Sequence, residues 1–212
     1  MGTGVYQITD VFEDALAKYT GAPYVVTVDN MSNALYMCLM YIREKTTVTI
    51  PNRTYPSVPC EIIRAGHKVA FEILPTKTLK GAYQLKPLNI WDSALRFTHN
   101  MYIKGQYMCV SFTGPYKTLK LSKGGAVLTD SYDAMLWFKR FRFSGRRECS
   151  YHTDFFDTMG INAYMMPELA ARGLLLMNQF YDIEGNPKHN EDLELPYPDL
   201  SAFPIYASER FQ

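Results

Sequence analysis

The strongest constraint on the fold is an alternation of short β-rich runs with helical runs, in which polar residues directly follow the strands. Residues 24–28 (YVVTV) are β-branched or aromatic and stop at the turn signal Asp29-Asn30. An apolar helical stretch then runs over 32–42, with polar residues in its first turn. The same reading places strands at 47–51, 68–74, 88–91, 107–111 and 126–129. It places helices at 56–65, at 131–141 and from Pro167 onward, with Gly124-Gly125 as a turn into the last strand. Near the N-terminus, Thr9 is expected to cap a helix whose apolar face is Val11, Phe12, Ala15, Leu16 and Tyr19, ended by Gly21. Residues 75–86 carry no clear period and read as a loop or small hairpin. Strands alternating with helices predict an α/β three-layer sandwich with a mostly parallel sheet. One large domain over 1–180 is expected, followed by a Pro-rich tail over 181–212 with Glu191, Asp192 and Glu194 that wraps the surface.

Composition narrows the partners. The chain has 212 residues, 22 Lys+Arg against 21 Asp+Glu, and 47% hydrophobic residues. A net charge of +1 supplies no field to hold nucleic acid or an anionic membrane surface. No apolar run approaches about 18 residues, and acids interrupt the N-terminal stretch, so a soluble cytoplasmic protein is expected. Cys38, Cys60, Cys109 and Cys149 form no CxxC pair, and no Cys/His cluster has metal spacing, so no metal site is expected. Cys38, Cys60 and Cys109 lie in apolar runs and read as small buried hydrophobes. The four histidines are scattered and read as packing or surface residues. Arg140, Arg142, Arg146 and Arg147 cluster at a helix end, where they complement the dipole or meet a diphosphate.

In a parallel α/β sheet, ligands sit beyond the carboxyl ends of the strands. Four such corners carry chemistry. Asn30-Met31-Ser32-Asn33 opens a helix, where free N–H groups and hydroxyls suit a phosphate; an ordinary N-cap explains the same residues. Tyr55 follows the strand 47–51 and can stack on a planar ligand or simply pack. Asp92 follows the strand 88–91, where a buried acid must be paired, capping or solvated. Ser111 ends a strand that runs into a loop holding Lys117, Lys120 and Lys123, and a lysine of lowered pKa there can form a Schiff base.

The order of these corners resembles the fold-type I pyridoxal-phosphate (PLP) enzymes, and more narrowly the DegT/StrS-type nucleotide-sugar aminotransferases. Asn30-Met31-Ser32-Asn33-Ala34-Leu35 is similar to that family's phosphate turn, and Pro51-Asn52-Arg53-Thr54-Tyr55 to its Pro-x-x-Thr-aromatic. Trp91-Asp92-Ser93-Ala94 resembles Glu-Asp-Ala-Ala. Ser111-Phe112, Lys117 and Gly124-Gly125-Ala126-Val127-Leu128-Thr129 resemble the Ser-Phe, Lys and Gly-Gly-Ala block, the most specific of the set. Gly160-Ile161-Asn162-Ala163-Tyr164-Met165 is similar to Gly-x-Asn-x-Arg-Met.

The resemblance implies a PLP-dependent aminotransferase that moves an amino group, from glutamate, to a keto sugar nucleotide. It implies Lys117 as the Schiff-base lysine, with Lys120 and Lys123 as competitors, and Asp92 against the pyridine nitrogen. Asn30, Met31, Ser32 and Ser111 would hold the phosphate, and Tyr55 would stack on the ring. Asn162 would reach the cofactor of a neighbouring subunit, making the protein a homodimer with shared active sites; the stretch 151–154 would face that neighbour. The chain also differs from the family. Leu95 stands where a Gln is usual, Met31 where a Gly is, and Tyr164 where an Arg is. The span 74–88 is short, and the C-terminal small domain is largely missing. A second reading follows from this trimming: a catalytically degenerate relative kept for a binding or structural role, as a compact viral genome would retain.

Overall fold

The computed structural model describes residues 7–150 and 152–206, so Tyr151 and both ends of the expected domains lie outside the described residues. The elements in chain order are α1 (Gln7–Thr20), β1 (Tyr24–Val28), α2 (Met31–Tyr41), β2 (Thr47–Pro51), α3 (Ser57–Arg64) and β3 (Lys68–Glu72). Then come β4 (Thr78–Lys80), β5 (Tyr83–Gln84), β6 (Ile90–Asp92), β7 (Tyr107–Ser111), β8 (Gly125–Thr129), α4 (Tyr132–Phe141), α5 (Pro167–Met177) and β9 (Glu194–Pro196).

The main sheet has the order β1-β8-β7-β6-β5. β8 is antiparallel to both β1 and β7, while β7 and β6 are parallel, so β1, β7 and β6 all point the same way. β5 runs antiparallel to β6, and the residue pair Thr49 and Lys86 bridges that segment to β2, which is parallel to β3. The long strands are therefore mostly co-directional, with β8 reversed. The carboxyl ends of β1, β6 and β7 share an edge with the amino end of β8, where Val28 and Ser111 both face Gly125.

Alternation along the strands sorts side chains into two cores, as a period of two requires. Val26, Val28, Cys109 and Val127 face α2, α3 and α4. Val25, Met108, Val110, Ala126 and Leu128 face α1 and α5. This is the expected three-layer sandwich. Each fully buried Val, Leu or Phe side chain contributes about 1.5–3 kcal/mol, so both faces are needed to hold so short a sheet.

Several local expectations are corrected. Thr9 is not the cap of α1: it lies buried inside the helix. Val11 is 44% exposed, and the buried stripe is Thr9, Phe12, Glu13, Leu16 and Tyr19. Gly21, at φ +77°, does end the helix, donating its N–H to Ala17 O at 2.9 Å. Cys60 is exposed, because α3 buries Val58, Pro59 and Ile62 on its other side. His67 is buried between Leu39 O and Thr46 N, a packing role. The arginine cluster is consumed by ion pairs: Arg140 and Arg147 with Asp157, Arg146 with Asp154, and Arg142 with Glu13.

The stretch 75–86 is not a hairpin on itself. β4 pairs with β9, near the C-terminus, and β5 pairs with β6. From Tyr181 the chain returns over the same edge of the molecule. Leu193 N bonds Leu95 O at 2.8 Å, and Leu200 N bonds Asn52 O at 2.8 Å.

Candidate active site

Beyond the carboxyl ends of the strands lies a cavity of about 610 Å³, within the range of small-molecule sites. Asn30, Met31, Ser32, Tyr55, Asp92, Ser111 and Lys117 all line it. The four corners predicted from sequence thus converge on one space.

The helix-start corner is tightly built. Asn30 caps α2 with its side chain, accepting from Asn33 N at 2.9 Å. Asp29 accepts from the side chains of Asn30 (3.0 Å) and Asn33 (2.8 Å), which fixes the turn. Ser32 Oγ donates to Ser57 Oγ at 2.7 Å, tying the start of α2 to the start of α3. A Cβ on Gly125 would stand 2.7 Å from Met31 N, so the second glycine of the Gly-Gly pair is what lets β8 approach this helix start. The Asn30 side chain caps the helix as an ordinary N-cap does, while Ser32 and Ser57 place hydroxyls at the cavity wall.

Asp92 ends β6 and is 3% exposed. Its Oδ1 accepts from Ala94 N and its Oδ2 from the Tyr83 hydroxyl, both at 2.9 Å. Tyr83 OH also lies 2.6 Å from Thr54 Oγ1, so β5 and the end of β2 brace the carboxyl from behind. Burial pushes the Asp92 carboxyl above the ordinary range, while Ala94 N–H, Tyr83 O–H and Lys117 pull it back. Burial pushes the Tyr83 phenol well up in turn, with Asp92 adding to it.

Lys117 Nζ donates to Ala94 O at 2.7 Å rather than to Asp92 itself. Burial lowers its pKa, and Asp92 partly restores it. Of the three candidate lysines, only Lys117 lines the cavity. Lys123 pairs with Asp29 at 3.3 Å and is exposed, and Lys120 is exposed as well.

Leu95, in the place of the family's Gln, is 1% exposed and absent from the cavity wall. Tyr164 stands edge-on to Phe143, with ring centroids 5.4 Å apart. Asn162 lies outside the cavity and bridges Phe143 through its backbone.

Sequence reasoning missed several contributors, Leu195 among them. Ser57 and Glu61 come from α3, Tyr83 braces Asp92, and Tyr197 comes from the C-terminal stretch. Burial raises the Glu61 carboxyl, and its neighbour Arg64 pulls it back. A hydroxyl at the start of a helix beside a phosphate-type turn was the available signal for Ser57. Nothing in the local pattern marks Tyr83 or Tyr197.

Residues 3–80 match the DegT/DnrJ/EryC1/StrS aminotransferase family, a span that holds the 30–35 and 51–55 motifs and ends before the other three. No curated protein sequence matches the chain. Among solved structures, a DegT/DnrJ/EryC1/StrS aminotransferase from Brucella abortus superposes with a TM-score of 0.65 at 19% identity, covering 82% of this chain and 59% of that one. PseC of Helicobacter pylori, an aminotransferase of pseudoaminic acid biosynthesis, gives 0.66 at 15% identity, covering 84% and 58%. NtdA of Bacillus subtilis, solved with bound PMP, gives 0.62 at 17% identity, covering 80% and 47%. The chain thus has the fold of these aminotransferases over most of its own length, and spans under two thirds of theirs.

Proposed function

We propose that this chain, with the fold of the DegT/DnrJ/EryC1/StrS aminotransferases, is a PLP-dependent aminotransferase acting on a keto sugar nucleotide with glutamate as amino donor. The observation that carries the proposal is the cavity itself. A desolvated lysine amine and a buried carboxyl face one space, beside two helix starts that each offer a hydroxyl.

These residues fit the cofactor by their chemistry. Asp92 would take a charge-assisted hydrogen bond from the pyridinium nitrogen. That cation would favour the ionised form of the carboxyl and so oppose the upward push of burial. The start of α2, with Ser32 and Ser111, would bind the phosphate, and Tyr55, 57% exposed, is free to stack on the ring. Lys117, with its amine less basic than usual, would serve first as nucleophile and then as the group that carries a proton to and from the substrate's Cα. Its bond to Ala94 O holds the amine at the wall where it is needed. When bound, PLP supplies the carbonyl that accepts the amino group and the electron sink for the carbanion.

A second copy of the chain belongs to this reading. Asn162 does not line its own cavity, as the resemblance leads one to expect of a residue that serves a partner's site.

The test is an absorbance spectrum of the purified protein with and without added PLP, then borohydride reduction and mass mapping. A visible band and a label on Lys117, both lost in Lys117→Ala, are expected. A protein that takes up no PLP, or a label on Lys120 or Lys123, contradicts the reading.

A further inference from the structure

The cavity has a wall that its neighbours in the fold do not explain. Leu195 and Tyr197 line it, yet both come from the stretch after α5, far along the chain from the strand ends. That stretch is fastened on both sides of the opening. On one side, Arg96 grips Asp192 with two bonds, Nε to Oδ1 at 2.9 Å and Nη2 to Oδ2 at 2.6 Å. The side chain of Asp192 occupies the space that a Cβ on Gly81 would need, so the glycine and the grip are built together. Asn190 adds bonds from its N–H to Thr98 Oγ1 (2.9 Å) and from its side chain to the Tyr19 hydroxyl (2.8 Å). On the other side, Arg53 Nη1 donates to Tyr197 O at 3.0 Å, and Leu200, 2% exposed, is pinned by Asn52 O. Between the fastenings, β9 pairs with β4.

We propose that residues 192–200 form the cavity's own cover and that Tyr197 is a specificity-determining residue, limiting the size of what reaches the Lys117 amine. The proposal rests on the reading of the cavity as an active site, and it assigns to a strap within this chain the task of enclosing a substrate. Tyr197 suits that task. It is half-buried, and its phenol is pushed up to about 12 by burial and by its nearness to Asp92 and Tyr55. Its ring therefore stands with Tyr55 over the same space as the buried carboxyl. A rigid aromatic ring with few rotatable bonds makes a steric wall at low entropic cost.

The test needs no cofactor, so its failure is separable from failure of the PLP reading. The full-length chain, dialysed free of small molecules, is acylated with limiting amounts of two N-hydroxysuccinimide esters, one acetyl and one naphthoyl. The rate at each lysine is read by peptide mass mapping. In the parent protein, Lys117 is expected to react with the small ester and to resist the bulky one. Tyr197→Ala is expected to raise the bulky-to-small rate ratio at Lys117 by about tenfold, the equivalent of about 1.4 kcal/mol of steric exclusion. Tyr197→Phe is expected to keep the parent ratio, because the ring remains. Arg96→Gln, which frees one fastening, is expected to raise both Lys117 rates by roughly threefold or more, while the exposed Lys120 is unchanged. Equal ratios in the parent and Tyr197→Ala, or a rise shared by Lys120, overturns the proposal.

Discussion

Two buried acid–base pairs in this molecule are made of the same kinds of side chain and do opposite things. On the α1 side, Glu13 is 4% exposed and meets Arg142, the backbone N–H and hydroxyl of Thr27 (both 2.8 Å), and Lys139 at 3.2 Å. Burial pushes the Glu13 carboxyl up, but Arg142, Lys139 and Thr27 outweigh it and hold it below the ordinary range. This pair is closed: it joins α1, β1 and the end of α4 and leaves no charge for a ligand. Asp92 is as buried as Glu13 and Lys117 is half-buried beside it, yet the lysine bonds a carbonyl instead of the acid. The carboxyl is left raised and the amine lowered. A fold this small spends one pair on cohesion and leaves the other unquenched, which is where a ligand gains most.

The contrast can be broken by mutation. Arg142→Met removes the fully buried cation of the Glu13 carboxylate, leaving it Lys139 and the Thr27 donors, and is expected to destabilise the protein by about 3 kcal/mol, read from urea unfolding. A loss under about 1 kcal/mol would place that pair among ordinary surface bridges.

Asp92→Asn keeps the shape and the Ala94 N–H bond but loses the charge and one acceptor oxygen, so the Tyr83 hydroxyl must turn to accept from the amide. PLP affinity is expected to fall roughly tenfold to a hundredfold, the worth of about 1.5–3 kcal/mol for a bond to a charged group. Stability moves the other way. A carboxyl whose pKa is raised by folding stabilises the native state in full below its unfolded value, and that contribution is lost as pH rises through the folded value. The variant should therefore gain thermal stability relative to the parent as pH rises from about 4 toward neutrality, and a constant difference across that range would refute the sign.

Lys117→Ala is expected to abolish PLP labelling while changing stability at neutral pH by less than about 0.5 kcal/mol, in the stabilising direction. Because folding lowers this amine's pKa, the advantage should shrink above the folded value and vanish near the ordinary lysine pKa of about 10.4. Tyr83→Phe is the smallest change: one of the two donors to Asp92 is lost, worth about 0.5–1.5 kcal/mol, visible as a weaker hold on PLP without loss of labelling at Lys117.

The same two regions mark how far sequence could be read. Strand ends are announced by local pattern, so Asp29-Asn30, Tyr55, Asp92, Ser111 and Lys117 stood out as corners, and the structure gathers all but Asp29 on the cavity wall. Local pattern alone does not separate Lys117 from Lys120 and Lys123, which lie in one loop of similar character; the family resemblance favours Lys117, and of the three it alone lines the cavity. Tyr83 sits in a stretch without period, and its partner Asp92 is set by the pairing of β5 with β6. Tyr197 reaches the cavity through the β4–β9 pairing, a contact between distant segments that periodicity does not encode. Glu13 did leave a trace: an acid on the buried stripe of α1, between Phe12 and Leu16, requires a buried cation. Arg142, grouped with its exposed neighbours, was that cation.

The central claim, one buried pair closed and the other left open, is tested most directly by titrating individual lysines, following the side-chain NMR signals of Lys117 and Lys139 from neutral to alkaline pH. Burial lowers the Lys139 amine, but Glu13 and Asp10 more than offset it, so Lys139 should titrate above an ordinary lysine. Lys117 should titrate below one. Finding Lys117 at or above the ordinary lysine pKa of about 10.4 would contradict the account.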